Sequence, residues 1–222
     1  VNSNQSFNFQ LNRTDKALLF LCSKLSLQNI FISSVSPSIN RKIESFQNPN
    51  VYFFTHNDFK DLVINIEPIE SIGIDRLVNI VAALYKYHSN TIIVDAGTAI
   101  TCCYINKKGE YDGGIILPGF HMVNSALKQN TEKLPLIPFP INQPELIGKS
   151  TKYAIESGLF FGSMHMINGV IDDIKQTYPE ATVILTGGVP KELLKYINFD
   201  IFDYELQFFG MQKIVDKLFN IT

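Results

Sequence analysis

The chain has 222 residues, a formal net charge of −2, 45% hydrophobic residues and 18% charged residues. With 17 Phe and 9 Tyr it is too aromatic and too weakly charged for a disordered chain, and no Lys/Arg stripe supplies the footprint of a nucleic-acid binder. No apolar run approaches the ~18 residues of a membrane span, and Cys22, Cys102 and Cys103 do not make the even, spaced set of a disulfide framework, so the expectation is a cytoplasmic protein with reduced thiols and no secretory signal.

In chain order, alternating polar and apolar residues predict a strand over 6–12. Thr14 and Asp15 can cap a helix ending near 25. The β-branched, apolar run over 29–35 predicts a buried strand. Pro37 suits the first turn of a helix toward 46, and 51–55 reads as a short strand. Residues 59–71, which include Pro68, read as irregular. Leu77, Ile80, Val81 and Leu84 recur at helical spacing and predict a helix over 75–87. The run TIIVDA over 91–96 is a strand that ends in an acid, and Gly97 and Thr98 turn the chain. Strands over 101–106 and 111–117 follow, joined by the Lys108-Gly109 turn. Pro118-Gly119 ends that meander. Helices over 120–129 and 152–178, a strand over 182–185, the Gly187-Gly188 turn, a helix over 190–196, a strand over 201–206 and a helix over 211–219 complete the chain. The halves 1–88 and 89–222 read as β-α-β-α-β-α and β-β-β-α-α-β-α-β-α. They look like one unit used twice, the first copy without its two opening strands.

Four segments carry chemistry. In Asp95-Ala96-Gly97-Thr98-Ala99-Ile100-Thr101 a buried strand delivers a carboxylate into a glycine turn. Glycine admits close approach of an anion to the backbone, exposed N–H groups and the Thr98 and Thr101 hydroxyls can donate to phosphate, and the aspartate can hold a cation. A plain hairpin would use the same residue types. In Gly73-Ile74-Asp75-Arg76, Asp75 is either a helix cap or a base for a substrate hydroxyl, with Arg76 available to an anionic group. Gly113-Gly114-Ile115-Ile116-Leu117-Pro118-Gly119 reads as strand and turn with close backbone packing. Thr186-Gly187-Gly188 offers bare backbone on which a nucleobase or ribose can lie, or serves as an ordinary strand-to-helix turn. Gly148-Lys149-Ser150-Thr151 shares letters with a P-loop, but Gln143 stands where that motif needs its first glycine. The four histidines show no metal-ligand spacing, and neither Cys102 nor Cys103 has a basic neighbour that would favour a thiolate.

These motifs occur in the order seen in type III pantothenate kinases, and the sequence resembles that family from about residue 29 to its end. The resemblance implies an α/β, duplicated actin-like (ribonuclease H-like) kinase fold: two mixed sheets flanked by helices, repeating a βββαβαβα unit, with an interdomain active-site cleft. It implies ATP-dependent phosphorylation of pantothenate, the first step toward coenzyme A. By likeness, Asp75 is the general base, and Gly73, Ile74 and Arg76 line the pantothenate site. Thr151 reaches pantothenate from the partner of a homodimer. Gly97, Thr98, Thr101, Gly187 and Gly188 bind ATP with Mg2+, and Asp95 holds a monovalent cation, K+ or NH4+.

Two departures from the family pattern stand out. The Asp-x-Gly-Asn-Thr phosphate hairpin has no counterpart here, and the sequence opens on Val1 rather than Met. The expectation is a gene product that extends upstream, with weak or absent turnover by the 222 residues alone, since one lost preorganised donor commonly costs ~10²–10³ in rate. The family's Tyr-x-x-Pro segment is replaced by Ile64-Asn65-Ile66-Glu67-Pro68, so no tyrosine contact carries over. Two other readings share the fold: a non-catalytic binding relative, which would hold pantothenate without turning it over, and a phosphoanhydride hydrolase in which Asp75 activates water.

Overall fold

A computed structural model of the chain describes residues 29–45, 50–88, 90–139 and 141–219. The strand expected over 6–12 and the helix over 14–25 lie outside these. Of the described residues, 29–61, 67–82 and 207–219 form one compact unit, and 62–66 and 83–206 form a second.

In the first unit β1 (Ile30–Ile32) pairs in parallel with β2 (Val51–Phe53). Their crossover is α1 (Pro37–Glu44), which carries its proline in the first turn as the sequence predicts. Phe31, Tyr52, Phe54 and Phe219 pack ring against ring. Helix α2 (Ile74–Tyr87) begins in this unit and presents Leu77, Val78 and Ala82 fully buried. The resemblance implies a mixed sheet here, whereas the described strands of this unit form a parallel pair.

The second unit is built on β3 (Thr91–Ala96), β4 (Ala99–Ile105), β5 (Tyr111–Pro118), β6 (Thr182–Gly187) and β7 (Ile201–Phe202). The sheet order is β5-β4-β3-β6-β7. β3–β4 and β4–β5 are antiparallel, β3–β6 and β6–β7 parallel, so the sheet is mixed. β3 is central, and its residues 91–94 are buried without interruption, as a strand covered on both faces requires. Helices α3 (Phe120–Gln129), α4 (Thr151–Thr177) and α5 (Lys191–Leu194) follow in the chain, with α6 (Leu206–Leu218) at its end. The element order from β3 on is β-β-β-α-α-β-α-β-α, one helix more than the βββαβαβα unit that the resemblance implies, and α6 belongs from Gln207 on to the first unit. Ile92, Val94, Ile100 and Cys102 share one core with Leu159, Phe160, Ile167 and Ile171 of α4. Each aliphatic or aromatic side chain among them contributes about 1.5–3 kcal/mol on burial. This core fixes the strand ends that matter for the site.

Several boundaries differ from expectation. β4 starts at Ala99, because its pairing with Pro118 carries the ladder up to the turn. The strand expected over 201–206 stops at Phe202, and α6 starts at Leu206 rather than at 211. Asp203 is the reason: its carboxylate accepts the Glu205 N–H at 3.2 Å and its carbonyl accepts the Leu206 N–H at 3.4 Å, which opens a helix. The described residues of 131–139 and 141–150 form no helix or strand, yet the first stretch is pinned. Buried Asn124 of α3 donates to the Ile137 carbonyl at 2.7 Å and accepts the Ile137 N–H at 3.1 Å.

Candidate active site

The parallel pairing of β3 and β6 sets Asp95 opposite Thr186 and Ala96 opposite Gly187. On the other side of β3, Thr101 of β4 lies opposite Asp95. Directly paired residues share a face of the sheet, so Thr101, Asp95 and Thr186 form a polar row across three strands. Thr186 is 3% exposed. The sequence showed it only as the letter before a Gly-Gly turn, and its place beside Asp95 follows from a strand register that local pattern does not carry. Gly97 and Thr98 form the exposed tip of the β3–β4 hairpin, with the Gly97 N–H donating to the Ala99 carbonyl at 3.0 Å.

The Gly187-Gly188 turn meets this hairpin from the β6 side. Gly187 has φ +95°, and a Cβ there would stand 2.5 Å from Asp95 Oδ1 and 2.7 Å from the Ala96 carbonyl oxygen. The Gly188 N–H donates to that carbonyl at 3.0 Å. Two glycine motifs far apart in sequence therefore converge on Asp95. The bare α-carbon of Gly187 is what lets Asp95 Oδ1 and the Ala96 carbonyl oxygen come this close to the turn. A carboxylate and a carbonyl oxygen are hard donors, suited to an alkali or alkaline-earth cation rather than to a softer transition metal. Among the described residues no group of three or more His, Cys, Asp or Glu could hold a metal.

In the first unit the Gly73 carbonyl accepts the Leu77 N–H at 3.2 Å and so begins the ladder of α2. Asp75 therefore lies inside the first turn rather than at the cap. Its Oδ1 accepts the Arg76 N–H at 2.8 Å, and the bare α-carbon of Gly73 lies against the same oxygen. Asp75 and Arg76 are half-buried, while Ile74 is buried beside them. The Arg76 guanidinium donates to the Ser71 carbonyl at 3.4 Å. The positive end of a helix dipole favours an anion at this place.

Thr151 opens α4 and is exposed. Ser150 before it caps the helix, accepting the Tyr153 N–H at 3.3 Å, and Gly148 packs on the Tyr153–Ala154 backbone. The Gly-Lys-Ser-Thr letters are thus a helix cap and not a phosphate loop. A pocket of about 630 Å³ lies alongside, lined in part by Gly148, Lys149, Lys152, Tyr153 and Glu156. Cys102 and Cys103 are buried and joined in no disulfide, and burial pushes the Cys102 thiol up to about 12, which favours the thiol over the thiolate.

A sequence model of the type III pantothenate kinase family matches residues 4–173. The chain belongs to that family. A type III pantothenate kinase from an Exiguobacterium species is 40% identical over 157 residues, covering 70% of this chain and 61% of the relative. The family member from Exiguobacterium sibiricum is 37% identical, covering 74% and 66%. The chain thus spans less than two thirds of the length of these two relatives. The enzyme from Persephonella marina is 37% identical over 197 residues, covering 86% of this chain and 77% of its own. Among solved structures, a conserved Campylobacter jejuni protein described as a Baf family transcriptional activator superposes with a TM-score of 0.57 at 25% identity. That superposition covers 93% of this chain and 89% of the other. The type III pantothenate kinase match takes in Gly73–Arg76, the Asp95–Thr101 hairpin and Thr151, and ends before Gly187-Gly188.

Proposed function

We propose that the protein transfers the γ-phosphoryl group of ATP to the primary hydroxyl of pantothenate, forming 4'-phosphopantothenate on the route to coenzyme A. Membership of the family supports the reaction class. The observation that carries the assignment of the base is Asp75, a half-buried carboxylate in the first turn of α2 with Arg76 beside it and no side chain at Gly73. Asp75 takes the hydroxyl proton as the new O–P bond forms and the bond from the γ-phosphorus to the β–γ bridging oxygen breaks, with ADP leaving. Arg76 pairs with the pantothenate carboxylate, and Gly73 and Ile74 line the same site.

The second unit supplies the nucleotide side. Gly97, Thr98 and Thr101 offer N–H and hydroxyl donors to the phosphates, and the flat backbone of Gly187-Gly188 receives the adenosine. Asp95 holds a monovalent cation, K+ or NH4+, and Mg2+ accompanies ATP. Phosphoryl transfer asks the protein for in-line positioning and neutralised charge, with little covalent help, and this residue set meets that demand. Thr151 contacts pantothenate across a homodimer, from one subunit into the site of the other.

Asp75→Asn keeps the size of the side chain and removes its basicity. Turnover is expected to fall by about 10²–10⁴ while ATP and pantothenate still bind, as calorimetry would read. An Asp75→Asn variant that turns over at the parent rate contradicts the assignment.

A further inference from the structure

Gly119 joins β5 to α3 and has an ordinary extended backbone, φ −74° and ψ 164°, so its own conformation does not call for glycine. Its surroundings do. A Cβ at this position would fall on the Thr98 carbonyl oxygen, 2.6 Å from the Gly97 carbonyl oxygen and 2.8 Å from the Thr98 carbonyl carbon. Pairing of Ala99 with Pro118 brings the joint and the hairpin tip together, and Gly119 is buried there. From the position that Cβ would take, the Thr98 carbonyl oxygen is nearer than its carbon, so that carbonyl is turned toward the space a side chain at 119 would need. The Gly97 carbonyl oxygen stands beside it. In a trans peptide the carbonyl and the following N–H point in opposite directions. Two carbonyls turned toward Gly119 therefore turn the Thr98 and Ala99 N–H groups away from it.

We propose that Gly119 is a positioning residue that sets the direction of the hairpin-tip N–H donors, so that they are aligned for a nucleotide phosphate before it arrives. The proposal rests on the phosphate role given above to Gly97 and Thr98. A side chain at 119 must push the tip aside, and the donors turn with it. Preorganised donors of this kind lose their effect when they are displaced.

The test is Gly119→Ala in the otherwise unchanged protein, with Mg·ATP and pantothenate affinities by calorimetry and backbone order parameters by NMR. Expected are a fall in Mg·ATP affinity of about tenfold or more, an unmoved pantothenate affinity, and lower order parameters at 97–99. Gly169→Ala, on an exposed face of α4 with nothing within 4 Å of the added Cβ, keeps both affinities. A Gly119→Ala variant with parent Mg·ATP affinity, or one that is folded and weakens both ligands alike, overturns the proposal. Should that variant not fold, the ligand-free parent protein decides. Order parameters at 97–99 near 0.85 support a fixed tip, and values below about 0.6 overturn it. A parent protein that binds no Mg·ATP refutes the phosphate reading itself, and the order parameters still report whether Gly119 fixes the turn.

Discussion

At Gly187 two independent constraints meet. Its φ of +95° is a region that L side chains rarely adopt, and the space a Cβ would fill is bounded by Asp95 Oδ1 and the Ala96 carbonyl oxygen. Gly187→Ala therefore strains the backbone by about 1–2 kcal/mol and also displaces the carboxylate assigned to the cation. Melting is expected to drop by a few degrees, at about 2–4 °C per kcal/mol for a chain of this size. Mg·ATP affinity drops with it while pantothenate affinity holds. An alanine variant with unaltered nucleotide affinity would remove Gly187 from the nucleotide site. Asp75 illustrates a different point at the same scale. Its sequence context fits a helix cap equally well, and only the Gly73 carbonyl to Leu77 hydrogen bond moves it into the first turn.

Among the elements, β3 was legible to the residue. A β-branched apolar run that ends in Asp-Ala-Gly-Thr leaves one way to bury the run and turn the chain, and the strand spans Thr91–Ala96. Helix α3 was equally legible over Phe120–Gln129. The chain end was not, because Asp203 is recruited from a distance. Lys86 and Tyr87 both bind its carboxylate, at 2.6 and 2.8 Å, and no local periodicity encodes partners more than a hundred residues away. In the site, the Asp95 hairpin and the Gly-Gly turn were each visible in the sequence, whereas their adjacency, and the burial of Thr186 beside them, depend on the β3–β6 register.

The edge of the same sheet gives a pH-dependent prediction. The Val183 N–H donates to Asp200 at 2.8 Å, and Lys175 pairs with the same oxygen at 3.2 Å. The backbone hydrogen bond first, and the Lys175 ammonium with it, hold the Asp200 carboxyl below the usual carboxylate range against the opposing effect of burial. A folded value below the unfolded one stabilises the fold above the unfolded value of about 3.9, and that contribution disappears as pH falls through the folded value. Urea midpoints of the parent protein and Asp200→Asn should differ at neutral pH and converge below about pH 4. A gap that persists at low pH would assign the effect to shape rather than charge.

For the whole molecule, the role proposed for Thr151 would link assembly to chemistry. If it serves the site of a second copy, mixing Asp75→Asn with Thr151→Ala creates heterodimers in which one site carries both defects and the other neither. Each variant alone is then weak, and the mixture regains a substantial fraction of the parent rate. A mixture no better than the mean of its components would place Thr151 in the site of its own chain. The reaction itself is tested most directly by product formation in the full gene product with Mg·ATP and pantothenate, followed by mass spectrometry, beside Asp75→Asn. The expected result is 4'-phosphopantothenate and ADP in equal amounts, dependent on pantothenate and lost in the variant. Release of phosphate without phosphorylated pantothenate, or tight pantothenate binding with no product, would contradict it.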